Sequence, residues 1–292
     1  MKNILGIDIG GTKIFHCLVN EKGELQGEVK KESTPKNLVD IENKLKEIIS
    51  SYENSVDYAG IATAGAVSSA NDKILGSTAN LPLGYKDINF LNLSSKIKVA
   101  IENDANCSAL AEHSFGVTKG YKNSIVLTLG TGVGGGIIIN NELLKGKSGA
   151  AGEMHFKMSV DKKRLCTCGS CDCFEIYASG KGLQLTYQDF TGNLISTYEI
   201  IEKYKNNDDN AVLALKKWSE YIAIGLLGLN NIFDTDIFAL SGSMAEFADI
   251  EFIEKYVNKY TLTSKTSVKK GIMGNYSGLI GATSVVRRKF RL

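Results

Sequence analysis

The sequence predicts an α/β fold made of two related halves. Apolar strands alternate with segments of helical apolar spacing, which is the pattern of parallel strands joined by crossover helices. A glycine-rich hairpin follows the first strand, over residues 8–13, and a similar hairpin follows a later strand, over residues 130–137. Because the second hairpin restarts the pattern of the first, we expect two α/β halves that face each other.

The first half is predicted from runs of branched apolar residues, which favour strands, and from apolar residues at helical spacing. In order, its predicted elements are strands over 4–9, 13–19 and 25–32, a helix over 38–52, a strand over 57–62, a loop over 65–84, a helix over 90–96, a strand over 98–101 and a helix over 106–115. The opening strands form a meander. The strand, helix, strand order that follows them implies a parallel pairing.

The second half repeats the strand and hairpin and then becomes mainly helical. Its predicted elements are strands over 124–129, 136–140 and 236–240, helical segments over 174–179, 199–204, 211–233 and 251–260, and a final helix over 277–290. We expect the final helix to pack on the first half. The predicted lobes are therefore a small one, 1–116 with 277–292, and a large one, 117–276, which carries a cysteine-rich loop at 155–175.

Composition narrows the functional class. The chain has 292 residues, enough for two lobes with cores of their own, and a net charge of +2 that is spread along the sequence. It has no basic patch of the kind that nucleic acids require, and the short cationic run at 287–291 suits a solvated helix end. No apolar run reaches the roughly 18 residues of a membrane span, so we expect a cytosolic protein without nucleic-acid or membrane partners.

The first glycine hairpin is a candidate phosphate site. Gly10 and Gly11 let backbone N–H groups approach a ligand, while Thr12 and Lys13 add a hydroxyl and a positive charge. Asp8, at the end of the preceding strand, supplies an acidic contact for the magnesium that accompanies a triphosphate. An ordinary glycine hairpin without a ligand is the alternative interpretation.

The second hairpin, Gly130-Thr131-Gly132-Val133-Gly134-Gly135-Gly136, has the glycine spacing of a dinucleotide-binding turn. That motif requires a helix after the turn, whereas residues 136–140 are predicted to form a strand. A nicotinamide cofactor is therefore not expected. No G-x-x-x-x-G-K-[ST] sequence occurs, which removes the P-loop interpretation as well. Thr131, Gly132 and Gly134 stay candidates for contacts with phosphates.

Asp104 is the candidate catalytic base. It follows a buried apolar strand and precedes a helix, so Asn103 and Asp104 place an amide and a carboxylate at a strand-to-helix corner, where active sites collect. The alternative is that the Asp104 side chain caps the helix, and one residue can serve both roles.

Cysteine usage points to a metal site. Four of the six cysteines lie in the segment 166–173. In a reducing compartment such a cluster favours metal binding over disulfides. Cys17 and Cys107 stand alone in apolar segments, and we expect them to pack in the core.

Together, these motifs resemble the ROK family of sugar kinases and sugar-responsive repressors, which has the two-lobed actin and hexokinase-like (ribonuclease H-like) fold with an active-site cleft between lobes. The resemblance covers nearly the whole chain, and the motifs occur in the family order. They are Asp8-Ile9-Gly10-Gly11-Thr12-Lys13, Glu102-Asn103-Asp104-Ala105-Asn106, Leu129-Gly130-Thr131-Gly132-Val133-Gly134-Gly135-Gly136, Ala151-Gly152-Glu153, Cys173-Phe174-Glu175 and Ser277-Gly278-Leu279-Ile280-Gly281-Ala282.

The resemblance implies a kinase that phosphorylates the 6-hydroxyl of a hexose with ATP and magnesium. In such enzymes the residue at the position of Asp104 accepts the hydroxyl proton. The residues that the resemblance assigns to the sugar are Gly65, Asn80, Asn103, Asp104, Glu153, His155 and Glu175. The two glycine hairpins would hold the phosphates, and we expect adenine near Ser241-Gly242-Ser243, where Gly242 lies in a turn and a helix cap at Ser243 is the alternative. A homodimer is expected by resemblance only.

Relatives of this kind hold one structural zinc with a histidine and three cysteines. Here Cys166, Cys168 and Cys173 match the three cysteine positions, and His155 precedes them at a fitting distance. A closed tetrahedral site of this type would hold the sugar-binding loop in place and would not catalyse the reaction.

Two departures from the family pattern leave alternatives open. Glu153-Met154-His155 is one residue shorter than the usual Glu-x-Gly-His, which puts in doubt whether His155 reaches both zinc and sugar. Asp172 stands where a glycine is expected, and Cys171 adds a competing ligand. A four-cysteine site without His155 and a loop without metal are therefore the alternatives.

Two features of the sequence conflict over which sugar is used. The loop Ala62-Thr63-Ala64-Gly65-Ala66 lacks the Pro-Gly of many kinases of the family and resembles that of bacterial N-acetylmannosamine kinases, where losing the proline could give room for an N-acetyl group. Glu153 resembles the glucokinase pattern, since some N-acetylmannosamine kinases have histidine there. N-acetylmannosamine is the first expectation and glucose the second, with fructose or a phosphorylated glucoside as further alternatives.

Two other functional classes share this fold. Sugar-responsive repressors have a DNA-binding helical module before the first strand, whereas here the first strand begins at residue 4. A sugar-binding module without catalysis is the other class, and Asp104 argues against it.

Overall fold

The computed structural model describes residues 3–76, 81–158 and 164–292 and contains two five-stranded sheets. Its strands are β1 (Ile4–Ile9), β2 (Lys13–Val19), β3 (Leu25–Ser33), β4 (Tyr58–Thr63), β5 (Lys98–Asn103), β6 (Ser124–Leu129), β7 (Val133–Ile139), β8 (Glu142–Leu143), β9 (Ile237–Ser241) and β10 (Ser267–Lys270). Its α-helices are α1 (Leu38–Ser50), α2 (Asp104–Phe115), α3 (Phe174–Ala178), α4 (Gly180–Thr191), α5 (Thr197–Lys205), α6 (Asp209–Phe233), α7 (Ile250–Tyr260) and α8 (Ser277–Phe290). The predicted α/β class is confirmed.

The chain folds into two compact units. The first consists of Met1–Gly120, Gly136–Gly152 and Ile272–Leu292, and the second of Tyr121–Gly135 and Glu153–Gly271. The lobe boundaries given by the sequence stay a prediction. None of the helices in the described residues has both the length and the apolar character required to cross a membrane.

The sheet of the first unit has the order β3-β2-β1-β4-β5. Its first three strands form the predicted antiparallel meander, whereas β4 and β5 run parallel to β1. Helix α1 packs on one face through its buried residues Ile41 and Leu45. Helices α2 and α8 cover the other face with residues such as Cys107 and Val286. The final helix therefore packs on the first half, as predicted.

Glycines allow α8 to approach the sheet and α2 closely. A Cβ on Gly60 of β4 would meet the backbone carbonyl of Ala282, and a Cβ on Gly281 would meet that of Cys107, in both cases closer than real side chains come. Neither position has room for a methyl group unless the backbone moves.

We expect Gly281→Ala to lower the free energy of unfolding by about 1–3 kcal/mol, because the added methyl must push α8 away from α2. The matched control is Gly228→Ala on α6, where nothing lies within 4 Å of the added Cβ. It should raise stability by up to about 1 kcal/mol, since alanine favours the helix. Urea denaturation of both variants measures the difference, and equal stability of the two would contradict close packing at Gly281.

The second sheet has the order β10-β9-β6-β7-β8, and its strands β6, β9 and β10 are parallel. Helix α6 is the longest helix of the second unit and contacts α3, α4, α5 and α7. Its Trp218 is fully buried and donates from Nε1 to the carbonyl of Ser179 at 3.1 Å. This bond ties the centre of α6 to the point where α3 ends and α4 begins.

One predicted helix is wrong, and one strand begins earlier than predicted. Residues 90–96 contain only a short 3₁₀ turn, Phe90–Asn92, because the Ser94 hydroxyl then accepts the N–H groups of Lys96 and Ile97 at 3.0 and 3.1 Å and leads the chain into β5. β7 begins at Val133, so the last three glycines of the second hairpin lie inside a strand.

Three elements were not foreseen individually. Helix α4 fell within a region predicted only as broadly helical, and the strands β8 and β10 were not predicted. In β10 only Val268 is buried, so the segment shows no apolar alternation. Cys17 and Cys107 are buried free thiols, as predicted.

Candidate active site

The first group of candidate residues lies at one edge of the first sheet. The register of β1, β4 and β5 places Asp8, Ala62 and Glu102 level with one another across the three parallel strands. The segments that follow these residues therefore leave the sheet at the same edge. This edge brings together the first glycine hairpin, the loop that contains Gly65, and the Asn103-Asp104 corner.

Asn103 and Asp104, the two residues of the corner, have different positions at the start of α2. Asn103 is the N-cap of α2, since its Oδ1 accepts the N–H groups of Ala105 and Asn106 at 2.9 and 3.1 Å. Its Nδ2 donates to the carbonyl of Gly65 at 3.3 Å. Asp104 is the first residue of the helix, and its side chain is exposed. The N-cap position is therefore that of Asn103 and not that of Asp104, although Asp104 Oδ1 also accepts the N–H of Ala105 at 2.9 Å.

Asp8 lies half-buried at the carboxyl end of β1. Burial, and then the negative charge of Asp104, raise the pKa of Asp8 from 3.8 to about 7. A Cβ on Gly278, in the first turn of α8, would lie 2.6 Å from Asp8 Oδ2, so the glycine leaves space for this carboxylate. A carboxyl group with a pKa near neutrality is well suited to exchange its proton for a bound cation.

We expect Asp8→Asn to stabilise the protein more at pH 8 than at pH 5. Between about pH 4 and pH 7 the folded state keeps a proton on Asp8 that the unfolded state has released, so this group's contribution to the free energy of unfolding falls as pH rises. Asparagine does not titrate, so the variant should exceed the wild type at pH 8 by at least about 1 kcal/mol. Denaturation at both pH values checks this, with the exposed Asp87→Asn as control. A gain for Asp8→Asn that is the same at both pH values would contradict the raised pKa.

The first hairpin is closed by its own backbone. The N–H of Gly10 donates to the carbonyl of Lys13 at 2.9 Å, and the Thr34 hydroxyl donates to the carbonyl of Gly10 at 2.7 Å. Thr12 and Lys13 are exposed, and Gly11 is half-buried. The N–H of Gly10 therefore serves the hairpin, and the tip of the turn is the part that a ligand can reach.

The second hairpin lies in the second unit and turns over Gly130–Gly132. Its N–H at Gly130 donates to the carbonyl of Gly132 at 3.0 Å, and the N–H of Gly180, at the start of α4, donates to the carbonyl of Gly130 at 2.8 Å. Thr131 is exposed, while Gly134 lies in β7 and outside the turn. Of the predicted phosphate contacts here, Thr131 and Gly132 are at the turn.

A cavity of about 430 Å³ opens beside this turn. The residues that line it include Gly130, Thr131, Gly180, Lys181, Gln184, Tyr198, Ile201, Ser243, Met244 and Phe247. Gly242, the chain neighbour of the lining residue Ser243, has a left-handed backbone, φ +86°, and a Cβ there would meet the backbone of Leu129. Ser243 begins no α-helix, so the helix-cap alternative is wrong. The side chains from α4 and α5 were missed by sequence reasoning, because no motif marks them.

The cysteine loop gathers four potential metal ligands. One ligand atom each from His155, Cys166, Cys168 and Cys173 lies within 4.8 Å of the others. The Sγ atoms of Cys168 and Cys173 are 3.3 Å apart, and Cys166 Sγ is 3.6 Å from His155 Nδ1. Tetrahedral zinc, with bonds of about 2.0–2.3 Å, places its ligands about 3.3–3.8 Å apart, so the residues fit the ion. Cys171 is not in this group within the described chain.

The shortened Glu153-Met154-His155 sequence still brings His155 to the cysteines. Its other ring nitrogen, Nε2, lies 3.8 Å from Glu153 Oε2, and Nδ1 lies 4.0 Å from Glu175 Oε1. The three predicted sugar contacts of the second unit are therefore neighbours. Asn80, another predicted sugar contact, lies outside the described residues.

Glu175 connects the cysteine loop to the second hairpin. Its Oε1 accepts the hydroxyl of Thr167 at 2.8 Å, and its Oε2 accepts the N–H of Val133 at 3.1 Å. A Cβ on Gly132 would lie 2.6 Å from the same carboxylate. The glycine at position 132 is therefore required by the approach of Glu175.

Comparisons of the sequence and of the structure with known proteins agree with each other. The chain matches the ROK family over residues 4–289. A glucokinase of Streptomyces coelicolor is 30% identical, with 97% of this chain and 97% of that protein aligned. An N-acetylmannosamine kinase of Haemophilus influenzae is 28% identical, with 97% and 95% aligned. The crystal structure of a Streptomyces griseus glucokinase with glucose and AMPPNP has a TM-score of 0.78 at 29% identity, covering 98% of this chain and 99% of that one. These matches confirm the predicted fold class.

Proposed function

This chain belongs to the ROK family, and on that premise we propose that it is a sugar kinase that transfers the γ-phosphoryl group of ATP to the 6-hydroxyl of a hexose. We propose N-acetylmannosamine as the substrate, with glucose as the second candidate, and the cytoplasm, where ATP is available, as the place of action. Both sugars occur in the names of relatives, and identities of 30% and 28% do not choose between them.

The observation that carries the kinase proposal is the placement of Asp104. Its exposed carboxylate stands at the start of α2, next to an Asn103 whose side chain is bonded on both of its polar atoms. We propose that Asp104 accepts the proton of the sugar hydroxyl while Asn103 and Gly65 contact the sugar. Phosphoryl transfer depends mainly on positioning and charge stabilisation, so one well-held base fits this chemistry.

We propose that the tip of the first hairpin, with Thr12 and Lys13, and the turn at Thr131 and Gly132 contact the phosphates. Magnesium, when bound with ATP, neutralises charge on the phosphates. Asp8 is the carboxylate that would hold it, directly or through water, because its raised pKa near 7 allows the proton to give way to a cation.

For adenine, the cavity beside Gly130 and Ser243 is the proposed site. Apolar side chains of Ile201, Met244 and Phe247 line it together with polar groups, which is the usual composition of a small-molecule pocket. Its volume of about 430 Å³ also lies in the range of ligand pockets.

On the sugar side, we propose that Glu153, His155 and Glu175 contact ring hydroxyls. The His-Cys₃ group would hold one structural zinc, which supplies no chemistry to the reaction and fixes the loop that carries these residues. We also propose a homodimer, on family resemblance alone; light scattering of the purified protein tests that assembly.

A panel of hexoses with ATP in a coupled ADP-release assay tests the function. We expect ADP release with N-acetylmannosamine at a kcat/KM above that for glucose, fructose or a phosphorylated glucoside, and NMR of the product should place the phosphate on the 6-oxygen. A higher kcat/KM for glucose would change the substrate and keep the enzyme class. Silence across the panel together with measurable sugar binding would replace the kinase by a sugar-binding module.

A further inference from the structure

Glu102, the residue before the Asn103-Asp104 corner, is a buried carboxylate with every oxygen engaged. Its side chain is 1% exposed. Oε1 accepts the N–H of Asn103 at 2.9 Å and the Nδ2 group of Asn106 at 3.1 Å. Oε2 accepts the Nδ2 group of Asn71 at 2.7 Å and the ammonium of Lys145 at 2.6 Å. One oxygen of Glu102 therefore bonds to residues of the corner, and the other bonds to a second group, Asn71 and Lys145.

Of that second group, Asn71 lies in the loop that begins at Gly65, and Lys145, which follows β8, is bonded to the same loop. Lys145 also donates to the carbonyl of Ser68 at 2.6 Å, and Asn71, with a left-handed backbone at φ +56°, also donates to the carbonyl of Ile101 at 3.0 Å. These hydrogen bonds close into a ring, because Asn103 Nδ2 donates to the carbonyl of Gly65, at the start of the same loop. Glu102 therefore holds both partners of the Asn103–Gly65 contact in place.

Stability alone is a weak reason for this arrangement. A buried ion pair gains little over apolar side chains of similar volume, because desolvation of both charges offsets their attraction. Glu102 and Lys145 also line a cavity of about 420 Å³, so the site has room for uncharged side chains. What apolar side chains would not supply is an acceptor for the N–H of Asn103.

We propose that Glu102 is a positioning residue: through the N–H of Asn103 and through Lys145 it fixes the orientation of the catalytic corner and of the Gly65 loop. The proposal rests on the proposed function, because Asp104 is taken as the base. Asp104 follows Asn103 directly, so a shift of this backbone moves the carboxylate that must meet the sugar hydroxyl. Misplacement of a reacting group by about 1 Å can lower a rate by about 100-fold.

Two double variants separate positioning from charge balance. Glu102→Gln with Lys145→Met removes both charges and keeps an oxygen for the N–H of Asn103. Glu102→Leu with Lys145→Met removes both charges and the acceptor. Relative to the first, the second should show a kcat lower by roughly 10- to 100-fold per folded molecule, with KM for ATP unchanged. A merely structural role would lower the melting temperature and yield and leave kcat per folded molecule the same, which would overturn the proposal.

If the leucine variant does not fold, Glu102→Asp takes its place. This variant keeps the charge beside Lys145 but withdraws the oxygen from Asn103 by one methylene, so kcat should fall again, and a wild-type kcat would overturn the proposal. If the wild type itself phosphorylates no hexose, the proposed function fails separately. Crystal structures of the variants then decide the positioning claim: a displaced Asp104 without the acceptor supports it, and an unmoved Asp104 refutes it.

Discussion

Replacing Asp104 with asparagine is expected to leave the fold intact and to lower kcat for sugar phosphorylation by about two to four orders of magnitude. Asparagine has the same shape but cannot accept the hydroxyl proton. The cap of α2 is Asn103, so the helix start keeps its hydrogen bonds in the variant. The variant loses the favourable interaction of a carboxylate with the helix dipole, about 0.3–1 kcal/mol, and it also loses the repulsion between Asp104 and Asp8.

The matched control for this prediction is Asp209→Asn. Asp209 is also an exposed first residue of a helix, α6, and follows a capping residue, Asp208. In denaturation, Asp209→Asn should lose the interaction with the helix dipole, and in the ADP-release assay only Asp104→Asn should lose turnover. A near-wild-type kcat in Asp104→Asn would remove the general-base role and with it the main support for catalysis at this corner.

The sequence was informative where local pattern and strand order decide the structure. Runs of branched apolar residues on both sides of a glycine turn predicted the β1–β2 hairpin, and the ends of β4 and β5 had to meet because parallel strands finish at the same edge. That rule also explains why Gly65 and Asn103, 38 residues apart, are in contact. The motif alone did not say which corner residue caps α2, because asparagine and aspartate are equally good caps.

The sequence could not predict contacts between side chains that are far apart along the chain, because such contacts depend on how the elements are oriented in the fold. Glu175 was identified as a sugar contact by resemblance, but its bond to the N–H of Val133, 42 residues earlier, depends on how α3 is oriented against the second hairpin. The cavity residues Lys181 and Tyr198 come from two helices whose spacing is set by tertiary packing. The sequence around Lys145 likewise has no local pattern that would predict its buried ion pair with Glu102.

The second prediction with a large expected effect concerns the cysteine loop and its metal. We expect the purified protein to contain one zinc per chain, and Cys173→Ser to lose the ion and to lower the melting temperature by on the order of 5–10 °C. Cys173 is buried and stands directly before α3, which carries Glu175 in its first turn. Loss of this ligand frees the loop at the point where it holds Glu175, so KM for the sugar should rise as well. Metal analysis, thermal denaturation and sugar titration measure the three effects.

Cys171→Ser is the matched control, because it removes a thiol from the same eight-residue segment. Cys171 is half-buried and lies outside the group formed by His155, Cys166, Cys168 and Cys173. The variant should keep one zinc per chain, the wild-type melting temperature and the wild-type KM. If Cys171→Ser releases the metal and His155→Ala retains it, the site is a four-cysteine one, and His155 is left to the sugar alone. Zinc absent from the wild type, with stability indifferent to chelator, would instead leave the loop held by its hydrogen bonds, above all those of Glu175 to Thr167 and Val133.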